Sequence, residues 1–192
     1  MRIIHSASEF TGPASVVALG MFDGVHIGHQ ALIRRAVALA EELDAESVVC
    51  TFDVHPLAVL FPEKAPKPLL SLGENLAKFE RLGADWALVQ AFTPEYGATP
   101  PEDFLKALVL DYRVRAIVAG ENYTFGDHGR GDAAMIRDMA GALGYRAEIV
   151  PSVMDGDVMC SSPRIRQLIE AGETAHAERL LRIANTGDGS LC

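Results

Sequence analysis

Apolar residues along this chain follow two alternating rhythms. Short, nearly continuous apolar runs recur at VVALG (16–20), SVVCTF (47–52), WALVQ (86–90), VRAIVAG (114–120) and YRAEIVP (145–151). Runs of this length and composition predict strands buried on both faces. Between them the spacing lengthens. Ala31, Leu32, Ala36, Leu39, Ala40 and Leu43 fall near i, i+4, i+7 and i+8, with Arg34, Arg35, Glu41 and Glu42 among them. That spacing predicts a helix with one apolar face. Residues 74–82, 101–110 and 132–143 read as further helices, and Gly83 and Gly144 stand where a left-handed turn would end two of them.

Strands that alternate with helices predict an α/β fold, a parallel sheet of about five strands with helices on both faces. Such sheets bind ligands beyond the carboxyl ends of their strands, where strand order reverses. The unusual clusters of this chain, at residues 20–29, 52–56 and 120–126, each follow a predicted strand. Residues 53–72 carry Pro56, Pro62, Pro66 and Pro68 and read as a long ordered loop, a wall or lid for a substrate.

Composition narrows the class. With 192 residues, 49% of them hydrophobic, the chain can build one core, expected over residues 1–183, with 184–192 as a tail. A net charge of −9 argues against a surface that coats nucleic acid, while a local positive field can still attract a small anion. Cys50, Cys160 and Cys192 form no C-x-x-C pair, so neither a zinc site nor a disulfide framework is suggested. MRIIHSASEF lacks a secretory apolar core, and no run approaches the roughly 20 apolar residues of a membrane span. A cytoplasmic setting is expected, with neither membrane nor nucleic acid as partner. Nothing in the sequence signals an oligomeric state.

Four stretches carry chemistry. In GMFDGVHIGH, residues 20–29, a strand feeds a helix, and the helix start offers unpaired amides and the positive end of a dipole. Gly24 and Gly28 let a phosphate chain approach the backbone, and His26 and His29, three apart, can share one side of the first turn. The plain alternative is a tight turn capped by Asp23 with two ordinary histidines. In TFDVHP, Pro56 holds His55 extended at a strand end. In GENYTFG, Asn122 offers both donor and acceptor, and Tyr123 and Phe125 offer flat surfaces; a strand end tucking aromatics into the core is the alternative. The DHGRG loop after it, residues 127–131, is flexible by composition and is expected to close over the site. In CSSPRIRQL, Ser162 reads as an N-cap and Pro163 as the first helical residue. Arg164 and Arg166 are two apart, so only one of them can face a ligand there.

Taken together these stretches resemble the H-x-G-H nucleotidylyltransferases, and in particular the FAD synthetase module of the prokaryotic bifunctional riboflavin kinase/FAD synthetase family. TFDVHP matches that family's T-F-x-P-H-P, GENYTFGDHGRGD its glycine-flanked aromatic motif, and SSPRIR its S-S-T-x-I-R, all in the family's order over roughly residues 16–182. The resemblance implies a Rossmann-like nucleotidylyltransferase fold and FMN adenylyltransferase activity, forming FAD and pyrophosphate from FMN and ATP with Mg²⁺. It implies His26, His29 and Arg166 as catalytic residues, and Gly20, Phe22, Asp23, Gly28, Ser161 and Ser162 as ATP-binding. His55, Pro56, Leu57, Asn122 and Tyr123 would bind FMN, with Asn122 also a candidate for the metal. The shared H-x-G-H turn also fits adenylyl or cytidylyl transfer to another phosphomonoester, and a flavin- or nucleotide-binding module without catalysis is the alternative of another class.

Two departures qualify the match. Val54 and Pro163 replace the family's proline and threonine. Pro163 removes a hydroxyl and an amide from the phosphate-binding turn, a loss of about 1.5–3 kcal/mol if a charged partner used them. The family's kinase barrel would open shortly after Leu181, so riboflavin phosphorylation is not expected from this sequence.

Overall fold

A computed structural model describes residues 1–183. The expected tail at residues 184–192, with Cys192, lies outside the described residues. The elements run β1 (Arg2–Ile4), β2 (Ser15–Leu19), α1 (Ile27–Glu42), β3 (Glu46–Phe52), α2 (Pro56–Leu60), α3 (Leu72–Arg81), β4 (Trp86–Gln90), α4 (Pro94–Gly97), α5 (Pro101–Asp111), β5 (Val114–Gly120), α6 (Ala133–Leu143), β6 (Arg146–Val150), β7 (Met154–Asp155), β8 (Val158–Met159), α7 (Ser162–Glu170) and α8 (Thr174–Leu181). The five predicted strands are present. A sixth, β1, joins them at an edge, where its three residues are too few to give a sequence signal.

The six strands pair in parallel in the order β1-β4-β3-β2-β5-β6. All five residues of β2 are buried, as a central strand covered on both faces requires. The pleat sends alternate residues to opposite sides. Val17, Leu19, Val48, Cys50, Ile117 and Ala119 pack with Leu105 and Leu108 of α5 and Ile136 of α6. Val16, Ala18, Val49, Ala116 and Val118 pack with Ile33, Ala36 and Leu39 of α1 and Phe79 of α3. Strand order reverses between β2 and β5, so their carboxyl ends, Gly20 and Gly120, flank the crevice such a reversal opens.

Helix ends follow the chemistry of their residues. Gly144 closes α6 at φ +75° and Gly83 follows α3 at φ +88°, both left-handed as expected. Helix α3 begins earlier than the periodicity predicts, because Ser71 and Glu74 form a reciprocal capping box. At α7 the expectation needs correcting. Ser161 is the N-cap, its Oγ accepting the Arg164 N–H, and Ser162 and Pro163 are the first two helical residues. The DHGRG loop is also more fixed than its composition suggests. Phe125 and Gly131 bond each other's backbone in both directions, at 3.0 and 2.9 Å, and close the loop at its base.

Helices α7 and α8 pack on each other around Ile165, Leu168, Ala177 and Leu180. The end of this pair is fastened under the first βα turn. Lys78 Nζ donates to Gly24 O and Leu181 O (2.9 and 2.8 Å), and Gln30 Nε2 donates to Val25 O and Arg182 O (3.0 and 3.1 Å).

Candidate active site

The turn from β2 into α1 is bound from every side. Thr51 Oγ1 donates to Met21 O, the Gly24 N–H to Asn75 Oδ1, and the Leu69 N–H to Asp23 Oδ1. Within it Phe22 and Val25 stand at φ +52° and +46°. A β-branched residue there is a true outlier, at a cost of order 1–3 kcal/mol that the surrounding contacts must hold in place. Strain of this kind gathers where a site needs a fixed backbone.

His26 ends the turn as the N-cap of α1, its Nδ1 accepting the His29 N–H at 3.4 Å. With Nδ1 as acceptor, the ring proton rides on Nε2. The His26 and His29 rings stack, with centroids 3.7 Å apart and planes at 22°. Phe22, fully buried, meets the His29 ring edge-on from behind at 5.3 Å. Burial pulls the His26 pKa down to about 4, and burial with the neighbouring His26 holds His29 well below the usual imidazole value. At neutral pH the pair therefore offers hydrogen-bond donors and not fixed charges. A Cβ on Gly28 would stand 3.2 Å from the His26 ring and 3.6 Å from Cys160 O, so this helix start and the entry to α7 are in contact.

The start of α7 is tied to the same turn. Ser162 Oγ donates to Asp23 O at 3.0 Å, and the Arg166 guanidinium pairs with the Asp23 carboxylate while its Nε donates to Lys67 O. Pro163 brings no amide, and that of Arg164 serves the Ser161 cap. Cys160, just before the turn, receives the Ile27 and Gly28 amides of α1 at its sulfur, and burial pushes its thiol pKa up against them.

Two spaces open from this junction. The larger, about 890 Å³, is lined by Gly20, His26, Gly28 and His29, by Pro56, Leu57, Asn122 and Tyr123, and by Ser161 and Ser162. That volume lies within the range of small-molecule sites. One end carries the rings of Phe52, Phe92, Tyr96 and Phe104, which meet edge to face at 5.1 to 6.5 Å. The other end runs along Val150 to Val153 beyond β6. A smaller, more polar recess of about 540 Å³ is lined by Asp23, His29, His55, Lys64, Ser162 and Arg166 among others. His29 lines both.

Most of the expected residues thus meet in one place, with three changes of role. Phe22 touches neither space and acts as the back support of His29. Asp23 faces the recess and joins the first motif to the fourth. His55 lines the recess beside Arg166, while Pro56 lines the large cavity and Leu57 borders both. The ring of Phe52, Phe92, Tyr96 and Phe104 was not foreseen, since these residues come from separate elements with no common spacing. Among the described residues no group of three or more His, Cys, Asp or Glu could hold a metal ion, and no helix is long and apolar enough to cross a membrane.

Comparison with known proteins gives the family and the fold. The sequence model of the FAD synthetase family matches residues 10–164. A putative bifunctional riboflavin kinase/FMN adenylyltransferase of Geobacillus thermodenitrificans is 37% identical over 180 residues, 93% of this chain and 96% of that protein. The bifunctional riboflavin kinase/FMN adenylyltransferase of Listeria monocytogenes is 33% identical over 97% of this chain, which spans only 59% of that protein's length. Among solved structures, one described as a macrolide-efflux protein from Streptococcus pneumoniae superposes with a TM-score of 0.81 at 31% identity, over 93% of this chain and 59% of that one. A pantoate-beta-alanine ligase from Francisella tularensis, at 13% identity and a TM-score of 0.58, shares the fold. The chain belongs to the FAD synthetase family of nucleotidyltransferases.

Proposed function

We propose that this chain transfers AMP from ATP to the phosphate of FMN, giving FAD and pyrophosphate. The observation that carries the reading is the stacked His26–His29 pair, with His29 lining both the aromatic cavity and the polar recess. An in-line displacement needs the nucleophile and the leaving group on opposite sides of the reacting phosphorus. Two spaces that meet at one donor provide for that.

The flavin ring stacks at the aromatic end, near Phe52 and Tyr96, with Pro56, Leu57 and Tyr123 along the wall. Adenosine lies toward Val150 to Val153, and its α-phosphate reaches the histidines. An oxygen of the FMN phosphate attacks the α-phosphorus; the bond from that phosphorus to the β-bridging oxygen breaks, and the electron pair leaves with pyrophosphate. The FMN phosphate is already ionised at neutral pH, so no side chain need take a proton. The protein's work is positioning and stabilisation of charge. Neutral His26 and His29 donate to the phosphate oxygens, Arg166 supplies a fixed positive charge, and Ser161 and Ser162 set the start of α7. Gly20 leaves room for the Phe22 ring and Gly28 for the His26 ring, and both line the cavity. Magnesium would arrive with ATP, neutralising its phosphates. With no metal-holding carboxylate cluster among the described residues, the side-chain oxygen of Asn122 is a hard ligand suited to that ion.

Pure protein incubated with FMN, ATP and Mg²⁺ should form FAD, followed by chromatography. If calorimetry registers FMN binding but no FAD forms, the chain is a flavin-binding module. The spent donors at the start of α7 favour that second reading.

A further inference from the structure

The T-F-x-P-H-P resemblance groups His55 with the flavin. The geometry separates it from Pro56: Pro56 lines only the aromatic cavity and Leu57 borders both spaces, but His55 lines only the recess that also holds Lys64, Ser162 and Arg166. The cause is local. His55 is the N-cap of α2, and its Nδ1 accepts the Leu57 N–H at 3.1 Å. That bond fixes the tautomer, leaving the proton, and so a donor, on Nε2. Burial and then the Arg166 charge lower the pKa of the ring, with Asp23 opposing, so His55 donates as a neutral group. Lys64 is exposed at the turn after α2, its ammonium over the Phe61 ring at 5.2 Å. Two carboxylates share the recess. Asp23 is compensated by Arg166 and by the Leu69 amide, and Glu170 is exposed.

We propose that this recess receives the diphosphate end of the reaction, with His55 Nε2 and Lys64 Nζ donating to its oxygens beside Arg166. The ligand class is an inorganic diphosphate, or the β,γ-end of a nucleoside triphosphate. This rests on the adenylyl-transfer reading and deepens it, moving His55 from the flavin side to the leaving-group side. His29 lines both spaces, so a phosphorus held there has one on each side.

The test measures binding without turnover. Wild-type protein, His55→Asn and Lys64→Ala are each titrated by calorimetry with Mg-pyrophosphate, Mg-ATP and AMP, and by flavin fluorescence with FMN. Asparagine keeps an acceptor for the Leu57 N–H, and Lys64 lies outside the core, so at least one variant keeps its fold. Each variant should bind pyrophosphate and ATP about tenfold more weakly, as loss of one hydrogen bond to a charged group predicts. AMP and FMN affinities should hold. If AMP weakens equally, these residues act at the α-phosphate and the proposal fails. A fall in FMN affinity with pyrophosphate binding intact would return His55 to the flavin, and unchanged pyrophosphate binding in both variants would also overturn it. Wild-type protein that binds pyrophosphate as expected but makes no FAD would remove the adenylyl-transfer reading alone.

Discussion

Two helix starts meet at this site, and they are held in different ways. The start of α1 grows out of the central strand. Its cap, His26, is 5% exposed, Phe22 backs the His29 ring stacked on it, and Asn75 and Lys78 of α3 and Gln30 of α1 bind the turn's own backbone. The start of α7 borrows its position. Ser161 and Ser162 are only half-buried, and the turn is registered through Ser162 on Asp23 O and Arg166 on the Asp23 side chain. The core therefore builds one anchor, and that anchor aligns the second. A site assembled from distant parts of the chain can be exact without every part being rigidly built in.

If this contrast is right, its most damaging break lies at Asp23. Asp23→Ala removes the ion pair and the acceptor for the Leu69 amide, leaving Arg166 with only 17% of its side chain exposed and no partner carboxylate. It should cost about 3–5 kcal/mol, measured by urea unfolding. A loss below about 1 kcal/mol, the scale of a surface pair, would mean that α7 stands without Asp23.

His29→Ala should leave the fold and circular dichroism unchanged but lower turnover by about 10²–10³, the scale for loss of one transition-state donor. Surviving turnover would take the phosphate away from the first helix start.

The third break uses acid. The folded pKa of His26, about 4, lies below its ordinary 6.5. Between these values the unfolded chain binds a proton that the native chain does not, so stability falls as pH drops below 6.5 toward 4. Urea unfolding should show a loss of about 2 kcal/mol from this group by about pH 5, with His29 adding in the same direction. His26→Asn, which keeps a capping acceptor, should flatten that limb. An equal slope in the variant would assign the acid sensitivity elsewhere.

Ser161→Ala should have the smallest effect, about 1 kcal/mol for a lost N-cap, read as a shift of the urea midpoint. If it destabilises more than Asp23→Ala, then α7 is held by its own cap, and the two helix starts are more alike than their contacts indicate.

Much of this was readable in advance because burial leaves a period. The central strands show as apolar runs, and the apolar face of α1 shows in its spacing. The edge strand β1, three residues long, has no room for a pattern. The cap of α7 was assigned one residue late because SSP allows either serine to cap, and only the bond from Arg164 N to Ser161 Oγ decides between them. At the site, glycines and histidines close in sequence were legible as one turn. The aromatic ring was not, because Phe52, Phe92, Tyr96 and Phe104 become neighbours only when β3, α4 and α5 are brought together. Nor could sequence say which way His55 turns, since a single bond to the Leu57 amide sets its ring. Spacing reports which face a residue occupies. It carries no information on the side-chain bonds that aim it.

One fastening has a wider reach. Lys78 and Gln30 each bridge a carbonyl of the first turn to a carbonyl at the close of α8, so Gly24 and Val25 are one side chain away from Leu181 and Arg182. The close of α8 is moored to the histidine turn. A strain on Leu181 or Arg182 would pass through Lys78 and Gln30 to the backbone of Gly24 and Val25, while Ile183 carries it into the core beside the sheet.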